Sequence, residues 1–177
     1  MKKVFKKLKR SIRNLKFRSN NLFLFSNEQK LPPFPLPSQY SLKVVDTNEK
    51  SGIKQIDKRK KRTNLCYAVF DGEKLVHTSW VFKKHSISKQ LGYNDALTIG
   101  PCETVKSHRG KGIYPAVLST IQKDNQDAQL VIFVKISNAP SIQGIMKAGF
   151  QKTLRFKMLK IFGFKFAFKS KHLQSSQ

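Results

Sequence analysis

Residues 107–118 read SHRGKGIYPAVL, and residues 138–150 read NAPSIQGIMKAGF. In the first segment Gly110 and Gly112 bracket Lys111, so the chain can turn tightly and bring backbone N–H groups against an anion. The segment comes after a candidate strand at 95–105 and opens a helix predicted over 113–123. The free N–H groups and positive dipole end of that helix face the same anion, and Arg109 and Lys111 add full charges. The pattern is neither GxxxxGK[ST] nor GxGxxG, so neither a P-loop nor a dinucleotide fingerprint is present. A plain structural turn is the competing reading.

The second segment follows a short apolar run, LVIFVKIS at 130–137, predicted to be a buried strand. Asn138 is placed as the N-cap of a helix over 138–148, with Gly149 as its stop. Together the two segments resemble the GNAT acyltransferase superfamily. Arg109-Gly110-Lys111-Gly112 is similar to its R-x-x-G-x-G/A signature, and Asn138 with Gly149-Phe150 is similar to its Asn-initiated helix ending in Gly-Phe. The resemblance covers about residues 40–160. It implies an α/β (α+β) fold with a mixed, splayed central sheet flanked by helices, and acetyl-CoA or another acyl-CoA lying in the splay. It further implies that backbone groups of Thr104 and Val105 pair with the pantetheine arm. The N–H groups of Arg109, Gly110, Lys111, Gly112, Ile113 and Tyr114 would hold the pyrophosphate, and Asn138 would contact the cofactor near its thioester.

The sequence departs from the family pattern twice. Tyr114 stands where Gly or Ala closes the first signature, and Ile145 stands where the Asn-initiated helix carries a Tyr that protonates the leaving thiolate. Either the thiolate leaves with solvent help, or Tyr114 or Cys102 substitutes as the acid. An amine acceptor must lose a proton before or during attack, so a base is needed. Glu103 is the first candidate, on the strand before the loop, where burial would tune its carboxylate upward; a surface Glu paired with lysine is the alternative. His77 lies in a strand and His108 precedes Arg109, where it would shape the loop. Trp80, the sole Trp, reads as core.

Outward from these segments, the body reads as alternating strands and helices. Tyr40–Asp46 is a first strand. The runs 65–70 and 74–82 flank Asp71-Gly72, a strong hairpin signal. Pro101 marks a bulge or edge in the strand at 95–105. In the tail, 153–169, aromatic and aliphatic residues alternate with Lys, and Phe162, Phe164, Phe166 and Phe168 share one face. That pattern predicts one or two strands with the aromatic face buried and a basic face outward.

The chain of 177 residues carries 35 Lys and Arg against 10 Asp and Glu, a formal net charge of +25. Such a chain is drawn to polyanions. Residues 1–39 are expected to form a basic arm and Pro-rich linker, and 40–177 the acyltransferase-like domain. Within 2–18, Val4, Phe5, Leu8, Ile12 and Leu15 fall on one helical face among basic residues, the pattern of an amphipathic helix on an anionic membrane surface. Packing on the body and a nucleic-acid arm are the alternatives. LPPFPLP at 31–37 cannot be helix and reads as an extended linker or a strap over the body. The cluster KRKKR at 58–62 has the composition of a localisation or polyanion patch, which solvated faces also show.

Cys66 and Cys102 have no ligand-like spacing, so no metal is expected. No apolar run reaches the roughly 18 residues of a membrane span, and no secretory signal is read; the expected location is cytoplasmic, at the inner face of the membrane if the arm binds lipid. The expected function is acyl-CoA-dependent N-acyl transfer to an anionic small-molecule amine, with an amino sugar on a nucleotide or lipid carrier leading, from a weak similarity to GNAT-like proteins among bacterial surface-polysaccharide enzymes. A protein or peptide amine is the alternative acceptor. The reading from another class is a non-catalytic basic binder of nucleic acid or membrane on a GNAT-like scaffold.

Overall fold

The computed structural model describes residues 18–27, 32–46, 51–57, 64–161 and 164–170. Eight strands form one sheet: β1 (Arg18–Ser26), β2 (Tyr40–Asp46), β3 (Asn64–Asp71), β4 (Lys74–Phe82), β5 (Leu97–Thr104), β6 (Leu130–Lys135), β7 (Gln151–Ile161) and β8 (Phe164–Lys169). The helices are α1 (Lys54–Asp57), α2 (Ser86–Gln90), α3 (Ile113–Asp124) and α4 (Ala139–Lys147), with a 3-10 turn at Lys106–His108. The spatial strand order is β2-β3-β4-β5-β6-β1-β7-β8. Only β5 and β6 run parallel; the other pairs are antiparallel. The mixed sheet expected from the sequence is therefore present. The expected helix over 2–18 lies outside the described residues apart from Arg18, and the 58–62 cluster lies outside them entirely.

Period-two alternation divides the sheet into two faces. On one, α3 and α4 cover a core of Tyr67, Val69, Ile99, Ile132 and Phe25, closed by Val117, Leu118, Ile121 and Ile145. On the other, α1 sets Ile56 over Cys66, Ala68 and Trp80, and α2 sets Ile87 and Leu91 over Leu22, Leu24, Val131 and Phe156. Trp80 is core, as expected. Gly72, at φ +57, makes the β3–β4 turn that the Asp-Gly pair predicts.

Two expectations are corrected. The stretch Arg18–Ser26, assigned with the arm, is a central strand between β6 and β7. Its Leu22, Leu24 and Phe25 are buried, so these apolar side chains feed the two sides of the core rather than a separate arm. The tail does form a strand pair, but Phe164, Phe166 and Phe168 are exposed at 72%, 43% and 52%. Here α2 packs against the opposite face of the hairpin, beside Met158 and Ala167, so the aromatic face is left in solvent. The described part of the Pro-rich segment, 32–37, does form a strap: the Phe34 N–H donates to Ser119 Oγ at 3.1 Å, and Leu36 packs on the core.

Because β1 is central, deleting residues 1–27 should abolish the cooperative unfolding transition followed by circular dichroism. Leu24→Ala, at a fully buried position, should cost about 3 kcal/mol in chemical denaturation.

Candidate active site

The ladder between β5 and β6 holds for Leu97↔Leu130, Thr98↔Val131 and Ile99↔Ile132 and then stops. Gly100, at φ +130, and Pro101, with no N–H to donate, follow at once. Past them β5 stays with β4, pairing Cys102, Glu103 and Thr104 with Ser79, Thr78 and His77. β6 instead continues along β1. The two parallel strands thus part and leave a cleft between 101–104 and 133–135.

The loop after β5 is fixed from below. Val105 N–H donates to Val76 O at 2.9 Å, and Val105 O accepts from His108 N–H at 2.9 Å. Both backbone groups of Val105 thus make hydrogen bonds within the fold. His108 is buried and joins Ser107 Oγ at 2.9 Å and Asp71 Oδ2 at 3.0 Å, tying the loop to the β3–β4 turn. It shapes the loop, as expected of it. Arg109 Nε donates to Thr104 O at 3.1 Å, and the residue is exposed.

Gly110 and Gly112 both have left-handed backbones, φ +78 and +75. Gly112 is the N-cap of α3, with no side chain to satisfy the first-turn N–H groups, and Pro115 sits in the first turn, where its missing N–H costs nothing. A Cβ at Gly110 would meet open space, whereas one at Gly112 would lie 3.2 Å from Phe34 Cε1. The strap therefore lies against the second glycine. At the far side of the cleft Asn138 caps α4, its Oδ1 accepting from Ser141 N–H at 3.4 Å. Asn138 is exposed.

Under the loop lies a polar cluster that the sequence did not announce. His77, Ser79, Cys102 and Thr104 share one face of β4 and β5 by register. His77 is 2% exposed; Nδ1 meets Thr104 Oγ1 at 2.7 Å and Nε2 meets Ser79 Oγ at 2.8 Å. Burial lowers its pKa to about 4, so the ring is neutral near pH 7, one nitrogen donating and the other accepting. The Tyr114 ring lies 5.9 Å from the His77 ring, with Cys102 alongside. Burial, with Cys102 beside it, raises the tyrosine well above its ordinary value. Burial likewise pushes the Cys102 thiol up to about 11. Neither group ionises near neutrality.

Gly144 admits this ring. A Cβ there would come within 2.9 Å of Tyr114 Cδ1, while its neighbour Ile145 is fully buried in the core. The helix that lacks a tyrosine at 145 leaves room at 144 for a tyrosine from α3. An interior helix glycine is the one sequence signal for this contact.

Glu103 does not join the cluster. Alternation puts it on the opposite face from Cys102 and Thr104, and it is exposed, so the burial expected to tune it is absent. Two surface hollows, one lined by Ser41, Lys43 and Glu73 and one by Ser26, Ser119 and Gln122, lie on other parts of the molecule. Among the described residues no group of three or more His, Cys, Asp and Glu could hold a metal ion, and no helix is long and apolar enough to cross a membrane.

No family model matches the chain, and no curated protein does. Solved structures do. A GNAT-family acetyltransferase from Novosphingobium aromaticivorans superposes at TM-score 0.57 with 13% identity, over 81% of this chain and 64% of its own. A GCN5-related N-acetyltransferase-like protein from Streptococcus suis gives 0.57 and 11%, over 88% and 67%. A GNAT-family acetyltransferase from Colwellia psychrerythraea gives 0.53 and 16%, over 93% and 62%. At these identities the likeness establishes the GNAT fold. The chain spans about two thirds of the length of these structures.

Two outcomes are expected here. Between pH 6.5 and 4 an unfolded histidine takes up a proton that buried His77 resists. Stability should therefore be complete above pH 6.5 and fall by roughly 3 kcal/mol as pH drops to 4. His77→Gln should flatten that slope in urea titrations at stepped pH. Gly110→Ala and Gly112→Ala should each cost about 1–2 kcal/mol from the left-handed backbone. Gly112→Ala should cost more, and the excess should vanish in a Phe34→Ala background.

Proposed function

We propose that the protein is an acyl-CoA-dependent N-acyltransferase. The observation that carries this is the parting of β5 from β6 directly before a two-glycine turn at the N-terminus of α3. An elongated thiol cofactor with a diphosphate near one end suits that arrangement. Its diphosphate would meet the N–H groups of Arg109, Gly110, Lys111, Gly112, Ile113 and Tyr114 and the charges of Arg109 and Lys111. The rest would enter the cleft along Thr104 toward Asn138. The residues fit such a group: Gly110 faces open space and Gly112 brings no capping side chain to compete.

A bound acyl-CoA would supply a thioester carbonyl open to attack by an amine. Tyr114 takes the acid role left vacant by Ile145. Its hydroxyl stays protonated at neutral pH because burial raises its pKa, so it can donate a hydrogen bond, and then a proton, to a developing thiolate. Neutral His77 positions the other side of the ring. The amine's proton goes to solvent or through Glu103, which borders the opposite face of β5. The acceptor is an anionic amine, an amino sugar on a phosphate-bearing carrier in the leading form, because the chain as a whole carries 35 Lys and Arg against 10 Asp and Glu.

Calorimetric titration of acetyl-CoA at moderately high salt tests the reading, since salt suppresses mere attraction to a +25 protein. Micromolar binding that Arg109→Ala weakens at least tenfold is expected. Absent binding, or binding indifferent to Arg109, would overturn it in favour of a non-catalytic basic binder. With an acceptor in hand, Tyr114→Phe should lower kcat about 100-fold with little change in KM.

A further inference from the structure

All 10 Asp and Glu lie between Glu28 and Asp127. The chain before Glu28 and after Asp127 has none, yet holds 18 of the 35 Lys and Arg. The insertion of β1 between β6 and β7 brings these two acid-free stretches together, so the sheet end β6-β1-β7-β8 is built without a carboxylate side chain in any strand. At its outer pair, β7–β8, one sheet face is open. Register places Phe164, Phe166 and Phe168 opposite Ile161, Leu159 and Lys157 on that face, with Arg155 next along β7. The three phenylalanines are exposed at 72%, 43% and 52%, and at i, i+2 and i+4 they form a stripe about 13 Å long. Lys160, Lys165 and Lys169 flank it from the other face of the same strands.

An exposed aromatic stripe of this kind marks a contact surface. Its occupant is narrowed by what the edge already does. The Gln90 side chain accepts from Ala167 N–H at 2.8 Å and donates to Lys165 O at 3.0 Å. The outer edge of β8 is thereby capped, which disfavours strand addition by a second copy. What remains is a face of phenyl rings and aliphatic side chains that also carries the cations Arg155 and Lys157. β1 begins beside the tip of this hairpin, with Arg18 opposite Lys160. The cationic, periodically apolar stretch at 2–16 therefore joins the fold at the same place.

We infer that the Phe164–Phe166–Phe168 face of the β7–β8 hairpin docks on an anionic lipid bilayer. The rings enter the headgroup boundary, and Arg155 and Lys157 on the same face meet acidic headgroups. Continuous apolar surface between the rings, supplied by Leu159 and Ile161, suits acyl chains better than the separated stacking platforms that single-stranded nucleic acid uses.

The test is co-sedimentation of the full chain with vesicles of phosphatidylcholine alone or mixed with phosphatidylserine, at physiological salt. A triple variant, Phe164→Ser, Phe166→Ser and Phe168→Ser, is run beside it. The expected result is sedimentation only with the phosphatidylserine vesicles, reduced about tenfold or more in the triple variant, with the melting temperature kept. A second variant, Arg155→Gln with Lys157→Gln, should weaken binding without touching the rings. Equal binding of wild type and triple variant overturns the inference, as does equal binding to both vesicles or to neither. A triple variant that melts much lower while binding lipid normally assigns the stripe to a cover from this chain and also overturns it. Phe-dependent dimerisation, or Phe-dependent capture of single-stranded RNA without vesicle binding, assigns it to those partners instead.

Discussion

The parallel ladder between β5 and β6 lasts three residue pairs, and every other feature of the site follows from where it ends. Gly100 turns and Pro101 offers no donor, so β5 keeps its bonds to β4 while β6 keeps its bonds to β1. Cys102 and Thr104 then border a cleft rather than a neighbouring strand. The chain must leave β5 over that cleft, and it does so through a turn anchored by His108 to Asp71 and by Arg109 to Thr104. α3 then begins at its N-cap Gly112, directly after that turn.

The insertion of β1 is the second constraint, and it acts on charge as well as on packing. By standing between β6 and β7 it gives the sheet a buried strand where Leu24 and Phe25 contribute to opposite sides of the core. It also gathers the acid-free ends of the chain into one half of the sheet. The molecule is consequently polarised, with its ten carboxylate side chains confined to the stretch that builds β2 to β5, α3 and their connections. A +25 protein repels itself strongly if its charge is compact, and the open hairpin β7–β8 keeps six of the 35 Lys and Arg in solvent.

Much of this was legible in the sequence where a local rule and the global fold agree. Asp71-Gly72 specifies its hairpin, Asn138 its cap, Gly149 its stop, and the pair Gly110 and Gly112 its left-handed turn. The misreadings arose where tertiary contacts chose between equal local patterns. NLFLF at 21–25 is short and apolar, and nothing local says that β6 and β7 leave a gap for it. The alternation FKFAFK fixes that one face is aromatic, but which face is covered depends on α2, a five-residue helix with weak local signal. The buried cluster of His77, Ser79, Cys102 and Tyr114 was scattered through 38 residues of sequence and became visible only when β4–β5 register aligned it. Tyr114, which departs from the glycine signature in the sequence, is accommodated by Gly144 on the facing helix.

Hydrogen exchange read residue by residue, with and without saturating acetyl-CoA, bears most directly on the claim that the parted strands and the glycine turn form one cofactor site. The account predicts slowed exchange confined to the amides of 109–114 and the cleft-side ends of β5 and α4, with β2 and β3 unchanged. Protection confined to the lysine-rich hairpin β7–β8, or spread evenly over the basic surface, would show a polyanion held by charge alone and would contradict it.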